Sequence, residues 1–315
     1  MKFIQAGNRS ISQITLGTVQ LGMAYGIANK SGKPDESTSS LILQEAIGSG
    51  INCYDTASMY GDSELVLGNF FADREQPLIV SKIKPPLDAN ISAKEMETLI
   101  RDMVEQSLER LQIASIPIMM LHNPDVLAVH YNSVSGTMRK LRDEGLIGSA
   151  GVSVGANVDE QMRELWRYIQ DDIFEAVQIP LNMLDHRLFR NGGIERLGQS
   201  RKYVFVRSVF LQGLLFMEDE QIPAFLQEAR KPLATLRELA AREGVSMAQM
   251  AVSFVRDLPF VHSLVIGAET AEQVRDNVGL IDGPAISEQT RNRIVREIPE
   301  LPELVLNPFL WNAYK

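Results

Sequence analysis

The stretch Gly50-Ile51-Asn52-Cys53-Tyr54-Asp55-Thr56-Ala57-Ser58-Met59-Tyr60-Gly61-Asp62-Ser63-Glu64 sets a short strand-like run, residues 52–55, directly before a loop of polar side chains. Similar runs recur outward from it: Ile14 to Gly17, Leu78 to Lys82, Pro117 to His122, Gly148 to Val154, Ala176 to Ile179, Tyr203 to Arg207 and Ser263 to Gly267. With residues 52–55 they make eight candidate strands, each nearly continuously apolar, as strands buried on both faces read. Helical patterns lie between them. Ser92 and Glu95 form a capping box ahead of Met96, Ile100, Val104 and Leu108, and Ser246 with Gln249 and Thr270 with Gln273 repeat the signature. Pro223 and Pro232 bracket additional helix.

Strands alternating with helices and no interrupting linker predict an α/β protein, a single (β/α)8 TIM barrel over residues 1–315 with extra helices and a C-terminal tail. The tail, Leu301 to Lys315, either covers substrate or packs on the barrel wall. Two doubly wound domains would want a Gly-x-Gly-x-x-Gly turn after the first strand, and residues 16–22, Leu-Gly-Thr-Val-Gln-Leu-Gly, do not supply it.

Composition narrows the function. Against 31 Lys and Arg stand 40 Asp and Glu, a formal charge of −9, which excludes the broad basic field of a nucleic-acid or anionic-membrane binder. One cysteine, Cys53, excludes disulfides and thiolate metal sites, and His122, His130, His186 and His262 lack ligand spacing, so no metal is expected. A P-loop is missing. Without a signal peptide or an apolar span, the expected location is the cytoplasm, off the membrane.

In a barrel the chemistry belongs at the C-terminal strand ends. There the sequence lines up Asp55, Tyr60, Lys82 and His122: a carboxylate, a phenol, an ammonium and an imidazole on successive units. A lysine near the phenol is expected to lower its pKa. At roughly 4 Å and an effective dielectric near 20, one charge is worth about 4 kcal/mol, or two to three pKa units before burial opposes it. Asp55 would hold Lys82 in place.

The 50–64 stretch with Leu67-Gly68, Ser81-Lys82 and Leu121-His122-Asn123-Pro124-Asp125 resembles the signature of the aldo-keto reductases, and the likeness runs from Leu16-Gly17-Thr18 to Gln273 and Asn277. That resemblance implies an NAD(P)-dependent oxidoreductase that reduces an aldehyde, ketone or sugar carbonyl to an alcohol, or runs the reverse. Tyr60 would be general acid or base, tuned by Lys82 and Asp55, with His122 on the carbonyl oxygen. It further implies that Ser153, Gln178 and Asn182 meet the nicotinamide carboxamide. Ser208, Phe210 and Gly213 would belong to a loop around the pyrophosphate, and Gly267, Glu269, Gln273 and Asn277 to the adenosine end. Arg207 stands where relatives commonly carry an aromatic that stacks on the nicotinamide; a guanidinium there can stack or face an anionic substrate. Glu269 stands where relatives carry a cation for the 2′-phosphate of NADP, which favours NAD, although Arg275 could supply that cation. Thr270 is read equally as a helix N-cap and as a ligand contact. Residues 16–29 resemble a bacterial branch of polysaccharide and sugar pathways, so the expected partner is a small carbonyl or sugar. The oligomeric state stays open. Two alternatives are a cofactor-binding regulatory subunit with little turnover and a lyase using Lys82 as a Schiff-base nucleophile.

Overall fold

The computed structural model describes residues 1–6, 9–29 and 32–314. Two short strands come first, β1 (Phe3–Ala6) and β2 (Arg9–Ser12), paired antiparallel. Eight further strands follow: β3 (Ile14–Gly17), β4 (Cys53–Asp55), β5 (Leu78–Ile83), β6 (Ile116–Leu121), β7 (Ile147–Ser153), β8 (Phe174–Pro180), β9 (Tyr203–Arg207) and β10 (Val261–Gly267). They close into a parallel barrel in the order β10-β3-β4-β5-β6-β7-β8-β9, with helices in the connections. All eight expected strands are present, with ends shifted by at most a few residues.

The two-residue period of a strand decides what the barrel holds. Cys53, Val80, Ile118, Met120, Ala176 and Phe205 form the inner apolar cluster. One pleat further along the same faces come Asp55, Lys82, His122, Gln178 and Arg207. The interior is therefore apolar below and polar at the C-terminal rim.

The β1–β2 pair, which the sequence reading did not anticipate, caps the opposite end. Ile11 joins the inner cluster, Arg9 donates to Ser149 Oγ at 2.8 Å, and Asn52 Oδ1 accepts from Ser12 N at 2.9 Å. The outer layer follows its caps. Ser92 and Glu95 make a full capping box on the helix Ala93–Leu111, whose buried stripe is Met96, Ile100, Val104 and Leu111. Ser246 caps Met247–Arg256 with its side chain alone, accepting from Gln249 N, while the Gln249 amide turns to Leu280 O and Pro284 O. After Pro223, a 3-10 segment (Ala224–Ala229) leads into the helix Arg230–Glu243. The tail packs against this part of the wall: Trp311 is fully buried with its indole N–H on Leu304 O, and Tyr314 stacks on Phe225 at 4.6 Å.

Candidate active site

The rim site is built around a buried ion pair. Lys82 Nζ donates to Asp55 Oδ1 and Oδ2 at 2.6 and 2.5 Å and to Thr56 O at 2.8 Å. Asp55 is 3% exposed, and its Oδ2 also accepts from Gln178 Nε2 at 3.0 Å. Gln178 Oε1 in turn accepts from Ser153 Oγ at 3.1 Å. A continuous polar chain thus runs from β5 through β4 and β8 to β7. Burial pulls the Lys82 pKa down and the adjacent Asp55 charge pulls it back. A buried pair of this kind holds only when its remaining donors and acceptors are satisfied, as these are.

Tyr60 lies above the pair. Its ring centroid is 5.0 Å from Lys82 Nζ and 5.6 Å from the His122 ring, edge to face. The turn that carries it is fixed by a close approach: a Cβ on Gly22 would meet Tyr60 O at 1.7 Å and Ser63 N at 2.6 Å, and Gly61 needs a φ of +55°. Any larger residue at position 22 would push Tyr60 away.

The expected lowering of the Tyr60 pKa by Lys82 is not seen. The ammonium is spent on Asp55 and Thr56 O, and the phenol is pushed up, first by burial and then by the Asp55 charge, with Arg207 pulling the other way. His122 is drawn down to about 3 by burial and by the charges of Lys82, Arg207 and Lys84. Its imidazole is therefore neutral at ordinary pH, with Nδ1 buried and without a partner among the described residues. A neutral phenol and a neutral imidazole packed edge to face can each donate a proton or hydrogen bond to an oxygen that reaches both.

The positions expected to hold a nucleotide divide. Ser153 and Gln178 reach the rim, joined to the ion pair. Asn182 does not join them: its Oδ1 accepts from Leu184 N and Asp185 N, and its Nδ2 donates to Ser208 O, so it holds the turn after β8. Arg207 reaches across to Val154 O at 2.8 Å and to Ser208 Oγ at 3.1 Å. Beyond it the loop is unusual. Ser208, Leu211, Gln212 and Gly213 all have positive φ, at 63°, 45°, 53° and 89°. Such a run turns successive N–H groups to one side and makes anion-binding concavities. Here Leu211 N donates to Ser208 O and Gly213 N to Phe210 O, closing the turn, and Ala28 lies where a Gly213 Cβ would be. Phe210 packs on Phe216.

At the far end Thr270 is the N-cap of Ala271–Asp282, accepting from Gln273 N, while Gln273 Oε1 accepts from Glu269 N. Gly267 leaves room for the Gln20 amide, 2.4 Å from where a Cβ would stand. Asn277 is half-buried on the same helix. Glu269 has its pKa raised by burial and has no cationic partner among the described residues. Arg275 does not serve it, being paired with Glu45 at 2.9 Å.

Three side chains escaped the sequence reading. Gln20 and Gln212 each bury an Oε1 without a partner among the described residues, which suits donors on a ligand. Tyr25 is 37% exposed overall, yet its hydroxyl end lies among Tyr60, Arg207, Lys82 and Gln212. The only sequence signal was its place between Gly22 and Gly26 in the loop after the first barrel strand.

The sequence profile of the aldo/keto reductase family matches residues 13–296. The chain belongs to the aldo/keto reductase family. An uncharacterized oxidoreductase of Mycobacterium tuberculosis is 28% identical over 319 residues, covering 93% of this chain and 92% of that protein. A 6-dehydroglucose reductase of Novosphingobium aromaticivorans is 26% identical over 199 residues, 59% of this chain and 62% of its own length. Among solved structures, an aldo-keto reductase of Bacillus halodurans in its holo form superposes with a TM-score of 0.74 at 20% identity, over 96% of this chain and 97% of that one. This aldo/keto reductase is accordingly an oxidoreductase of the carbonyl-reducing kind. Among its described residues no helix is long and apolar enough to cross a membrane, and no cluster of His, Cys, Asp and Glu could hold a metal.

Proposed function

We propose that the protein is an NAD(P)H-dependent reductase of small carbonyl compounds, with Tyr60 as the acid. The observation that carries the reading is the juxtaposition of two neutral donors, Tyr60 and His122, above the buried Asp55–Lys82 pair. The raised pKa keeps Tyr60 protonated, so its hydroxyl gives a proton to the oxygen that becomes alkoxide. His122, neutral and beside Tyr60, donates its ring N–H to the same oxygen and stabilises its growing charge. Lys82 and Asp55 act through position, holding the floor on which Tyr60 rests. A nicotinamide nucleotide, when bound, supplies the hydride. The donor set suits one: Ser153 and Gln178 for the amide, the helix start at Thr270 for a phosphate, the buried acceptors Gln20 Oε1 and Gln212 Oε1 for hydroxyl or amide hydrogens of the nucleotide, and Gln273 and Asn277 for the base.

NAD is favoured over NADP, because the Glu269 carboxylate, without a cationic partner among the described residues, would repel a 2′-phosphate, and Arg275 is paired with Glu45. A sugar carbonyl is the favoured substrate class, supported by the relative whose name specifies a dehydroglucose. Replacing Tyr60 by Phe should cut carbonyl turnover by about 100-fold or more while nucleotide binding persists. Unchanged turnover would refute the acid role, and a parent protein that binds nucleotide yet reduces nothing would instead indicate a regulatory subunit. Parallel titration with NADH and NADPH tests Glu269: NADPH binding about tenfold tighter would overturn the preference.

A further inference from the structure

Arg207 ends β9 two residues beyond Phe205, whose ring fills the barrel interior. By the period of the strand its side chain leaves on that same inward face, above the apolar layer. Arg207 pairs with Pro180, and its Nη2 crosses the end of β8 to reach Val154 O, next to Ser153. With Nη1 on Ser208 Oγ, two of the five guanidinium N–H donors are used. Three are left, and no carboxylate is paired with Arg207 among the described residues.

Its charge reaches Tyr60, His122 and Tyr25. Lys84, exposed and without an ion-pair partner among the described residues, adds a second cation beside His122. On the other side of the balance, Asp55 already bears Lys82 and Gln178. Glu269 lies off toward Gly26, 3.9 Å from where a Cβ there would stand. Two cations without ion-pair partners among the described residues, Arg207 and Lys84, thus stand around Tyr60 and His122 in a chain of net charge −9.

We infer that Arg207 binds a carboxylate carried by the substrate, so that the site selects carbonyl compounds that are also acids, such as keto acids, aldehydic acids or uronates. This deepens the reading of Tyr60 and His122 as the groups that face the carbonyl and rests on it. A planar guanidinium with donors to spare matches a carboxylate in geometry as well as charge. Hydrogen bonds from the guanidinium to a charged group should favour the acid by about 10- to 100-fold in affinity.

The test uses 4-carboxybenzaldehyde and its neutral methyl ester, titrated calorimetrically into the full-length protein with saturating NAD or NADP. The parent should bind the acid at least about tenfold tighter than the ester, and Arg207→Met should erase that preference by loss on the acid alone. Arg207→Lys should retain part of it, keeping the charge without the fork. On the unsubstituted protein, where folding is not in question, benzoate should compete with the acid and benzamide should not. Equal binding of acid and ester by the parent, equal weakening of both by Arg207→Met, or a loss that falls on NADH binding instead would each overturn the inference. Turnover is read separately. Selective binding of the acid without its reduction by either nucleotide would leave the carboxylate site standing and refute the reductase reading.

Discussion

Replacing Lys82 by Met strips the Asp55 carboxylate of its counter-ion while leaving it 3% exposed with one remaining donor, Gln178 Nε2 at 3.0 Å. Removing one partner of a buried pair costs about 3–5 kcal/mol, because the other charge stays buried and uncompensated. The lost bond to Thr56 O adds about 1 kcal/mol. Most of this loss is a charge penalty, so converting the remaining partner should return it: Asp55→Asn with Lys82→Met should lie within about 1–2 kcal/mol of the parent. The single variant should also acquire a pH dependence. In it, protonating the orphaned carboxylate removes the buried charge, so stability falls as pH rises and the charge returns. Urea denaturation followed by the fluorescence of Trp166 and Trp311, at about pH 4.5, 6 and 7.5, measures all three proteins. A double variant as unstable as the single one, or a single-variant deficit that is the same at every pH, would refute the assignment of the loss to an orphaned charge.

Gly22→Ala places a Cβ 1.7 Å from Tyr60 O, where ordinary contact begins at 3.4 Å, so the turn must move by that difference. A displacement of more than an ångström at the acid should lower kcat about 100-fold with nucleotide affinity intact, and turnover within threefold of the parent would sink the idea, threefold being about 0.7 kcal/mol. His122, with its pKa near 3, should show no titration between about pH 5 and 8 in its imidazole NMR shifts or in kcat. Because its folded pKa is depressed below the unfolded value of about 6.5, it stabilises the fold above that pH and loses this contribution as pH falls toward 3. His122→Asn should therefore flatten the acid limb of the stability curve, and an imidazole inflection near 6.5 would contradict the burial that depresses it.

The barrel was legible because eight apolar runs separated by capped helices leave few other solutions, and the rim residues followed because a strand's last inward position is set by period alone. The β1–β2 pair was not legible: each strand has four residues and only Ile11 turns into the barrel, too little to show a pattern. Tyr60, Asp55, Lys82 and His122 converge as their strand positions require, but the direction of the Tyr60 shift was misjudged. Sequence order gives which groups are neighbours and not where a lysine spends its three hydrogens. The Arg275–Glu45 pair was hidden for the same reason, since Glu45 lies 230 residues away in the chain. Gln20 and Tyr25 depend on how the loop after β3 folds back over the rim, which no local period encodes.

Cys53 is the chain's one thiol, and it points into the inner cluster one pleat below Asp55, fully buried, with its pKa pushed up to about 12. Neither thiolate formation nor access is available to it while the barrel is closed. Its labelling by a thiol reagent therefore clocks the opening of the whole β-barrel, unconfounded by any second cysteine. The protein carries its own reporter of global unfolding at the point where the ion pair meets the apolar interior. Comparing labelling rates with and without nucleotide would give the binding free energy without an assay of turnover.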